Sequence, residues 1–389
     1  MKMLAISPRI PEAGKKGDQV LSFNRLSYLA RNNQIKLICF GDSEKDFEAK
    51  LKLESVGISV ELIRWNKLFA VFNVLRNALD AHTPLQCALF ESAAFRKAVK
   101  LAIMEFEPDA IYVVTIRVMG NLCSYIPPLF VDMVDSMALN FSRRVSMATG
   151  LKRFVLNMEY QRVKNYEKKV ALRAERSFVV STIDQKVIGS DRVKVLPLGI
   201  DNQQFFKNSD GRLEQIVIFT GNMNYKPNID AVLWFYRYCW NKLKLAIPDI
   251  RLVIAGGNPT SAVMALRADK SITVTGRVPS IALAINSARV SIAPMQSGSG
   301  MQFKILEAMA CAVPVVSTKL GLGDIGAKVG RDIFLADTPE SFVEAIISIL
   351  QSEELRTKIG NSGYKYANEH HAWDVLNADF EASIIATFS

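Results

Sequence analysis

Histidine is scarce in this chain: His82, His370 and His371 are the only three among 389 residues. That scarcity leaves no Ser-His-Asp set and no three-ligand metal site, which weakens hydrolase and metalloenzyme readings. His370 and His371 stand beside Trp373, where helix capping or packing is the ordinary role. Five cysteines, Cys39, Cys87, Cys123, Cys239 and Cys311, lack paired-ligand spacing. They argue against a disulfide framework and a zinc site and fit a reducing cytoplasm. No stretch reaches the ~18 uninterrupted apolar residues needed to cross a bilayer. The opening Met-Lys-Met-Leu-Ala-Ile-Ser-Pro is too short an apolar run for a signal peptide and reads as a first buried strand. With 21 Gly and 14 Pro the chain is not low-complexity, and no short-period repeat is present.

What is present is ample core material, 49% apolar residues, over a length that suits two domains. Strand-like runs at Leu4–Ile6, Ile35–Phe40, Val60–Ile63, Ala110–Val114, Phe178–Val180 and Val193–Leu196 alternate with amphipathic stretches, a parallel-sheet α/β rhythm. From Gly199 to Glu214 the chain turns polar, and the rhythm then restarts with Ile216–Thr220, Leu252–Ala255, Ile272–Thr275, Val290–Ala293 and Val315–Ser317. The expectation is α/β throughout, two doubly wound Rossmann-like domains facing a cleft: residues 1–199, and residues 200–371. Asn361–Ser389 reads as helix, with a terminal part from about 372 to 389 packing back on the first domain. Ligand is expected at the strand carboxyl ends. A net charge of +10 implies an anionic partner: nucleotide, nucleic acid or membrane surface.

The segment Ser297–Thr318 is the most informative. A glycine loop, Gly298-Ser299-Gly300-Met301-Gln302, leads into a short helix bearing Lys304 and Glu307, followed by a proline stop and a buried strand. Glycine permits close backbone approach, and free N–H groups at a helix start attract anions. Lys304 and Glu307 share a face, one suited to phosphate oxygens and the other to sugar hydroxyls. A snorkelling lysine is the alternative for Lys304; a surface glutamate is the alternative for Glu307, but its apolar neighbours call for a partner.

Three more strand ends carry related residues: Gly221-Asn222 through Lys226, Gly256-Gly257-Asn258, and Gly276-Arg277-Val278-Pro279. Each alone is an ordinary turn, but four on one rim suggest a nucleotide-sugar site. Lys226 can face a diphosphate; as a structural residue it would oppose the helix dipole. In the first half, Gly17 and Asp18 follow a loop after the first strand, where close approach of a donor competes with an N-cap aspartate. Asp132 and Asp135, taken to follow another strand, are candidates to orient an acceptor hydroxyl, against helix capping by Asp135 or Ser136. Ser142–Ser177 holds ten Lys or Arg against three Glu, interleaved with apolar residues, and suits an anionic membrane surface or acceptor as well as a solvated face. Leu68–Leu75 is assigned to the core, with membrane contact as its alternative.

These residues resemble the retaining glycosyltransferases of group-1 type (family 4), which have the GT-B arrangement. The resemblance spans nearly the whole chain. It rests on Gly300–Thr318, on Val195-Leu-Pro-Leu-Gly-Ile-Asp, and on Phe219-Thr-Gly-Asn-Met-Asn-Tyr-Lys-Pro-Asn-Ile-Asp. Lys16-Gly-Asp-Gln and Gly298-Ser-Gly-Met-Gln-x-Lys are most similar to bacterial exopolysaccharide and cell-surface glycan transferases. The resemblance implies transfer from a UDP- or GDP-sugar to a glycan or lipid-linked acceptor, with no cofactor, metal or nucleic acid required, in the cytoplasm or on the inner face of its membrane. Glu307 would hold the ribose. Gly300, Met301, Lys226 and Lys304 would hold the diphosphate, and Arg277 and Val278 would face the base. Lys226, Asp18 and Arg117 are the candidate catalytic residues. Ser299 stands where the family has its first glutamate, and Asn222 where it commonly has arginine. Two alternatives remain: a nucleotide-sugar epimerase, and a non-catalytic homologue that binds nucleotide or membrane.

Overall fold

The structure, a computed structural model, describes residues 1–13, 17–78, 80, 82–122, 127–208, 214–297 and 302–388. The chain divides into two compact units, Met1–Pro197 with Leu376–Ser389, and Leu198–Val375. The first holds β1 (Lys2–Ser7), β2 (Gln34–Phe40), β3 (Ile58–Ile63), β4 (Ala110–Val114), β5 (Leu129–Val134), β6 (Arg176–Val179) and β7 (Val193–Val195). Every pairing is parallel, in the order β3-β2-β1-β4-β5-β6-β7. Helices cover both faces, so the strands are continuous apolar runs, and alternate side chains feed opposite cores. Leu4 and Ile6 join one cluster with Val113 and Val131; Met3 and Ala5 join the other with Tyr112 and Phe130.

The second unit repeats the plan with β8 (Ile216–Thr220), β9 (Arg251–Ala255), β10 (Ile272–Gly276), β11 (Val290–Ala293), β12 (Val315–Ser317) and β13 (Phe334–Leu335). These form one parallel sheet in the order β10-β9-β8-β11-β12-β13. In each sheet the order reverses beside the first strand, between β1 and β4 and between β8 and β11. Those reversals are the switch points at which α/β sheets open a crevice. The fold is thus two Rossmann-like α/β units, the α/β class read from the sequence.

Three local expectations are corrected. Asp132 does not follow a strand but lies inside β5. The run Leu68–Leu75 is not core: it forms the helix Lys67–Arg76, whose only buried residue is Ala70. The final helix is interrupted, into Glu353–His371 and Trp373–Ile385. Ala372 is extended there and bridges Ile200, whose N–H donates to the His371 carbonyl at 2.7 Å. Beyond the break, Phe380 packs edge-on against Tyr112 and Phe178 of the first sheet, with centroids 5.2 and 4.8 Å away.

Candidate functional site

In the second unit the carboxyl ends of β8, β9 and β10 are joined by their backbones. Gly221 N–H donates to Ala255 O at 3.0 Å, Met223 N–H to Gly257 O at 2.9 Å, and Gly256 N–H to Gly276 O at 3.0 Å. So close a ladder excludes side chains: a Cβ on Gly256, whose φ is +148°, would stand 1.8 Å from the Gly221 carbonyl oxygen. Asn228, buried in the helix Lys226–Phe235, donates from Nδ2 to Asn222 O at 3.0 Å and fixes the first loop from below. The Asn222 side-chain oxygen accepts from Asn224 N–H at 3.2 Å and from Asn258 Nδ2 at 3.4 Å. Asn222 therefore ties two loops together where a longer basic side chain would project. Arg277 is exposed and lies beside Gly257, and Val278 is half-buried.

Lys226 opens its helix, and its side chain is 79% exposed. It pairs with Asp230 one turn on, so the lysine has a structural partner after all, contrary to the dipole argument. Lys304 differs sharply. In the helix Phe303–Ala310 it is only 7% exposed, so its amine does not snorkel to water. Nζ donates to Gln302 Oε1 at 2.8 Å, lies 5.4 Å from the Phe219 ring centroid and 3.8 Å from Met295 Sδ. Phe219 is the penultimate residue of β8, and Met295 follows β11 by two residues. The amine therefore sits at the switch point of the second sheet. Glu307, one turn further along, is half-buried next to the exposed face marked by Phe303. Ser299, Gly300 and Met301, with the neighbouring Gly298, lie outside the described residues; so do Lys16 of the first loop and Cys123.

The first unit places its candidates less uniformly. Gly17, with φ +68°, is the N-cap of the helix Asp18–Leu29, and Asp18 forms an ion pair with Arg9 at 3.3 Å. Arg117, in the short turn Ile116–Asn121 after β4, donates from Nε to Gln86 Oε1 at 3.4 Å. Asp135 is exposed and accepts from Asn140 Nδ2 at 2.7 Å. Asp132, by contrast, is 0% exposed and pairs with buried Arg25; it also accepts from Tyr112 Oη at 2.8 Å and Val134 N–H at 3.1 Å. Burial pushes its carboxyl upward while Arg25 pulls it down. A fully enclosed, fully bonded carboxylate has no face left for an acceptor, so Asp132 belongs to the core.

Two features of this edge escaped the sequence reading. Thr115 and Val134, the residues after β4 and at the end of β5, have φ of +61° and +66°. A β-branched residue there is strained, and nothing in a threonine or valine codon signals it. Glu167, set among basic residues, is 1% exposed. It accepts from Ser136 Oγ at 2.8 Å and from Met137 N–H at 2.6 Å, capping the helix Met137–Ser146. Desolvation raises its pKa to about 7, against those hydrogen bonds.

Comparison with known proteins adds the following. Residues 214–352 match the family described as "Glycosyl transferases group 1", which covers both the three-loop ladder and the Lys304 helix. An uncharacterized 44.6 kDa protein in the cps region of Klebsiella pneumoniae is 25% identical over 163 residues, 40% of this chain and 42% of that protein. The match thus spans less than half the length of that curated relative. Among solved structures, Anabaena HepE in complex with UDP superposes with a TM-score of 0.66 at 15% identity, covering 99% of this chain and 100% of that one. Sucrose-phosphate synthase from Thermosynechococcus elongatus gives 0.67 at 13% identity, covering 100% and 99%. A point mutant of S. aureus TarM, in complex with Fondaparinux, alpha-GlcNAc-glycerol and UDP, gives 0.67 at 9% identity, covering 98% and 99%. At these identities the likeness speaks for the fold, which is GT-B.

Proposed function

We propose that this chain, whose second unit carries a group-1 glycosyltransferase domain, transfers a sugar from a nucleoside diphosphate donor to a glycan or lipid-linked acceptor in surface polysaccharide synthesis. The observation that carries the reading is the Lys304 amine, buried at the carboxyl ends of β8 and β11. A cation enclosed at the switch point of a parallel α/β sheet, where such folds take their ligands, has the chemistry to meet an anion. A UDP-sugar is the donor we favour, since the structural relatives HepE and TarM were solved with UDP, and HepE also with UDP-glucose. The relative in a cps region supports a polysaccharide product.

In this reading Glu307 binds the ribose, Gly221, Lys226, Gly300, Met301, Gln302 and Lys304 surround the diphosphate, and Arg277 with Val278 faces the base. The family resemblance extends the proposal to retention of configuration, with Asp18 and Arg117 near the reacting sugar and Asp135 toward the acceptor. An acceptor oxygen bonds to the anomeric carbon as the bond from that carbon to the phosphate oxygen breaks. The acceptor proton passes to the leaving diphosphate, whose negative charge the lysines stabilise. Contact with an anionic membrane through Ser142–Ser177 belongs to the same proposal. A non-catalytic nucleotide-binding homologue is the second reading, favoured by Asn222, whose side-chain oxygen is taken up by neighbouring loops.

The test is incubation with UDP-, GDP- and dTDP-sugars in the presence of membranes, following free nucleotide. Acceptor-dependent release of UDP is expected. Binding without release or transfer for every donor and acceptor would favour the non-catalytic homologue, and sugar interconversion without acceptor would favour an epimerase. Glu307→Ala should weaken UDP binding by ~10-fold or more, the loss of a hydrogen bond to a charged group; unchanged affinity by calorimetric titration would mean the site is misplaced.

A further inference from the structure

The helix Lys67–Arg76 presents its apolar side outward. At 100° per residue, Leu68, Val71, Phe72 and Leu75 form one stripe about 100° wide, while Ala70, Asn73 and Val74 face the protein. The four outward residues are 82, 56, 60 and 69% exposed. A second apolar group opens the helix Gly150–Arg173: Met147, just before it, is 86% exposed, and Leu151 and Phe154 are 79 and 63% exposed. The two groups belong to one region of the first unit, because Arg162 donates to Ala78 O at 2.6 Å and the Glu159 carboxylate accepts from Leu85 N–H at 2.7 Å. Monomeric proteins rarely leave large apolar side chains exposed in such groups without a partner.

Charge identifies the partner. The sequence has no Asp or Glu from Arg64 to Leu79, nor from Ser136 to Met158. Among the described residues Lys67, Lys152 and Arg153 have no carboxylate partner, although Arg76 pairs with Glu91 at 3.3 Å. The first unit holds 30 Lys or Arg against 22 Asp or Glu, giving +8 of the chain's +10. From this we infer that Lys67–Arg76 and Met147–Met158 together form a docking surface for an anionic lipid bilayer, the apolar side chains entering the acyl boundary and the lysines and arginines meeting headgroups. A protein partner of matching shape would need a fixed counter-charge pattern; a bilayer needs only apolar depth and negative charge. The inference widens the membrane contact of Ser142–Ser177 to a helix that the sequence assigns to the core, and it is independent of the donor site.

The full chain is floated with vesicles of phosphatidylcholine, alone or mixed with phosphatidylglycerol, without nucleotide or sugar. At low salt, binding to the mixed vesicles should exceed binding to neutral ones by ~10-fold or more and fall as salt rises. The triple variant Leu68→Ser, Phe72→Ser, Leu75→Ser should lose that binding with its circular dichroism and thermal midpoint unchanged, because these side chains pack against little. The pair Lys152→Gln, Arg153→Gln should reduce it and flatten the salt dependence. Equal vesicle binding by wild type and triple variant would overturn the inference. So would self-association seen in light scattering, abolished by the triple variant and unaccompanied by vesicle binding, which would make a second copy the occupant. Nucleotide release from the donor in the presence of a soluble acceptor, measured alongside, separates failure of this surface from failure of the transferase reading.

Discussion

Glu167 shows how a single carboxyl can couple stability to pH. Its folded pKa of about 7 lies above the ordinary value of 4.5 because desolvation outweighs the bonds from Ser136 and the backbone. The folded protein therefore holds this proton more tightly than the unfolded chain. The stability it contributes is full below about 4.5 and is lost as pH rises towards 7, by up to roughly 3 kcal/mol. Glu167→Gln should lessen the fall in thermal midpoint across that window, and parallel profiles for variant and wild type would refute the assignment. Asp132 answers to a different physics. Removing it strands the buried Arg25 guanidinium, so Asp132→Ala should cost roughly 3–5 kcal/mol in urea unfolding. Undiminished stability with lost acceptor use would return Asp132 to the site.

Among the elements, the ladder joining the ends of β8, β9 and β10 is the most sensitive to substitution. Gly256→Ala sets a methyl against the Gly221 carbonyl at a φ that side chains rarely adopt. A loss of roughly 1–3 kcal/mol should accompany weaker UDP binding, read by unfolding and titration on one preparation. Strands such as Ala110–Val114 and Ile216–Thr220 were legible because burial on both faces writes them as unbroken apolar runs. The rim glycines were legible because such close backbone approach admits little else. Leu68–Leu75 misled for the same reason: periodicity reports that a helix has an apolar side, not which way that side faces. Asp132 was misplaced because a charge inside an apolar run looks like the end of the strand, when its partner, Arg25, is 107 residues away. The Lys226–Asp230 pair was within reach of sequence spacing alone, one helical turn apart. The left-handed Val134 and the burial of Glu167 depend on tertiary packing and leave no local trace.

At the scale of the whole molecule, the first unit is assembled from both ends of the sequence. Phe380 is 0% exposed; its ring meets Tyr112 and Phe178 and lies 4.7 Å from the Arg25 guanidinium carbon. Phe380→Ala should destabilise the first unit by roughly 3–5 kcal/mol and leave the second unit's transition in place. Calorimetry combined with limited proteolysis can assign the two transitions, and a uniform shift of both would contradict the division. The same connectivity imposes an order on synthesis. After Pro197 the ribosome must add roughly 180 residues before Leu376 appears, a delay of roughly 10–40 s at ordinary elongation rates. Throughout that interval Tyr112, Phe178 and the Arg25–Asp132 pair lack their cover, while the second unit emerges whole. The nascent first unit is thus the part most exposed to chaperones, and it is completed only when the segment beginning at Leu376 docks, after the second unit has been made.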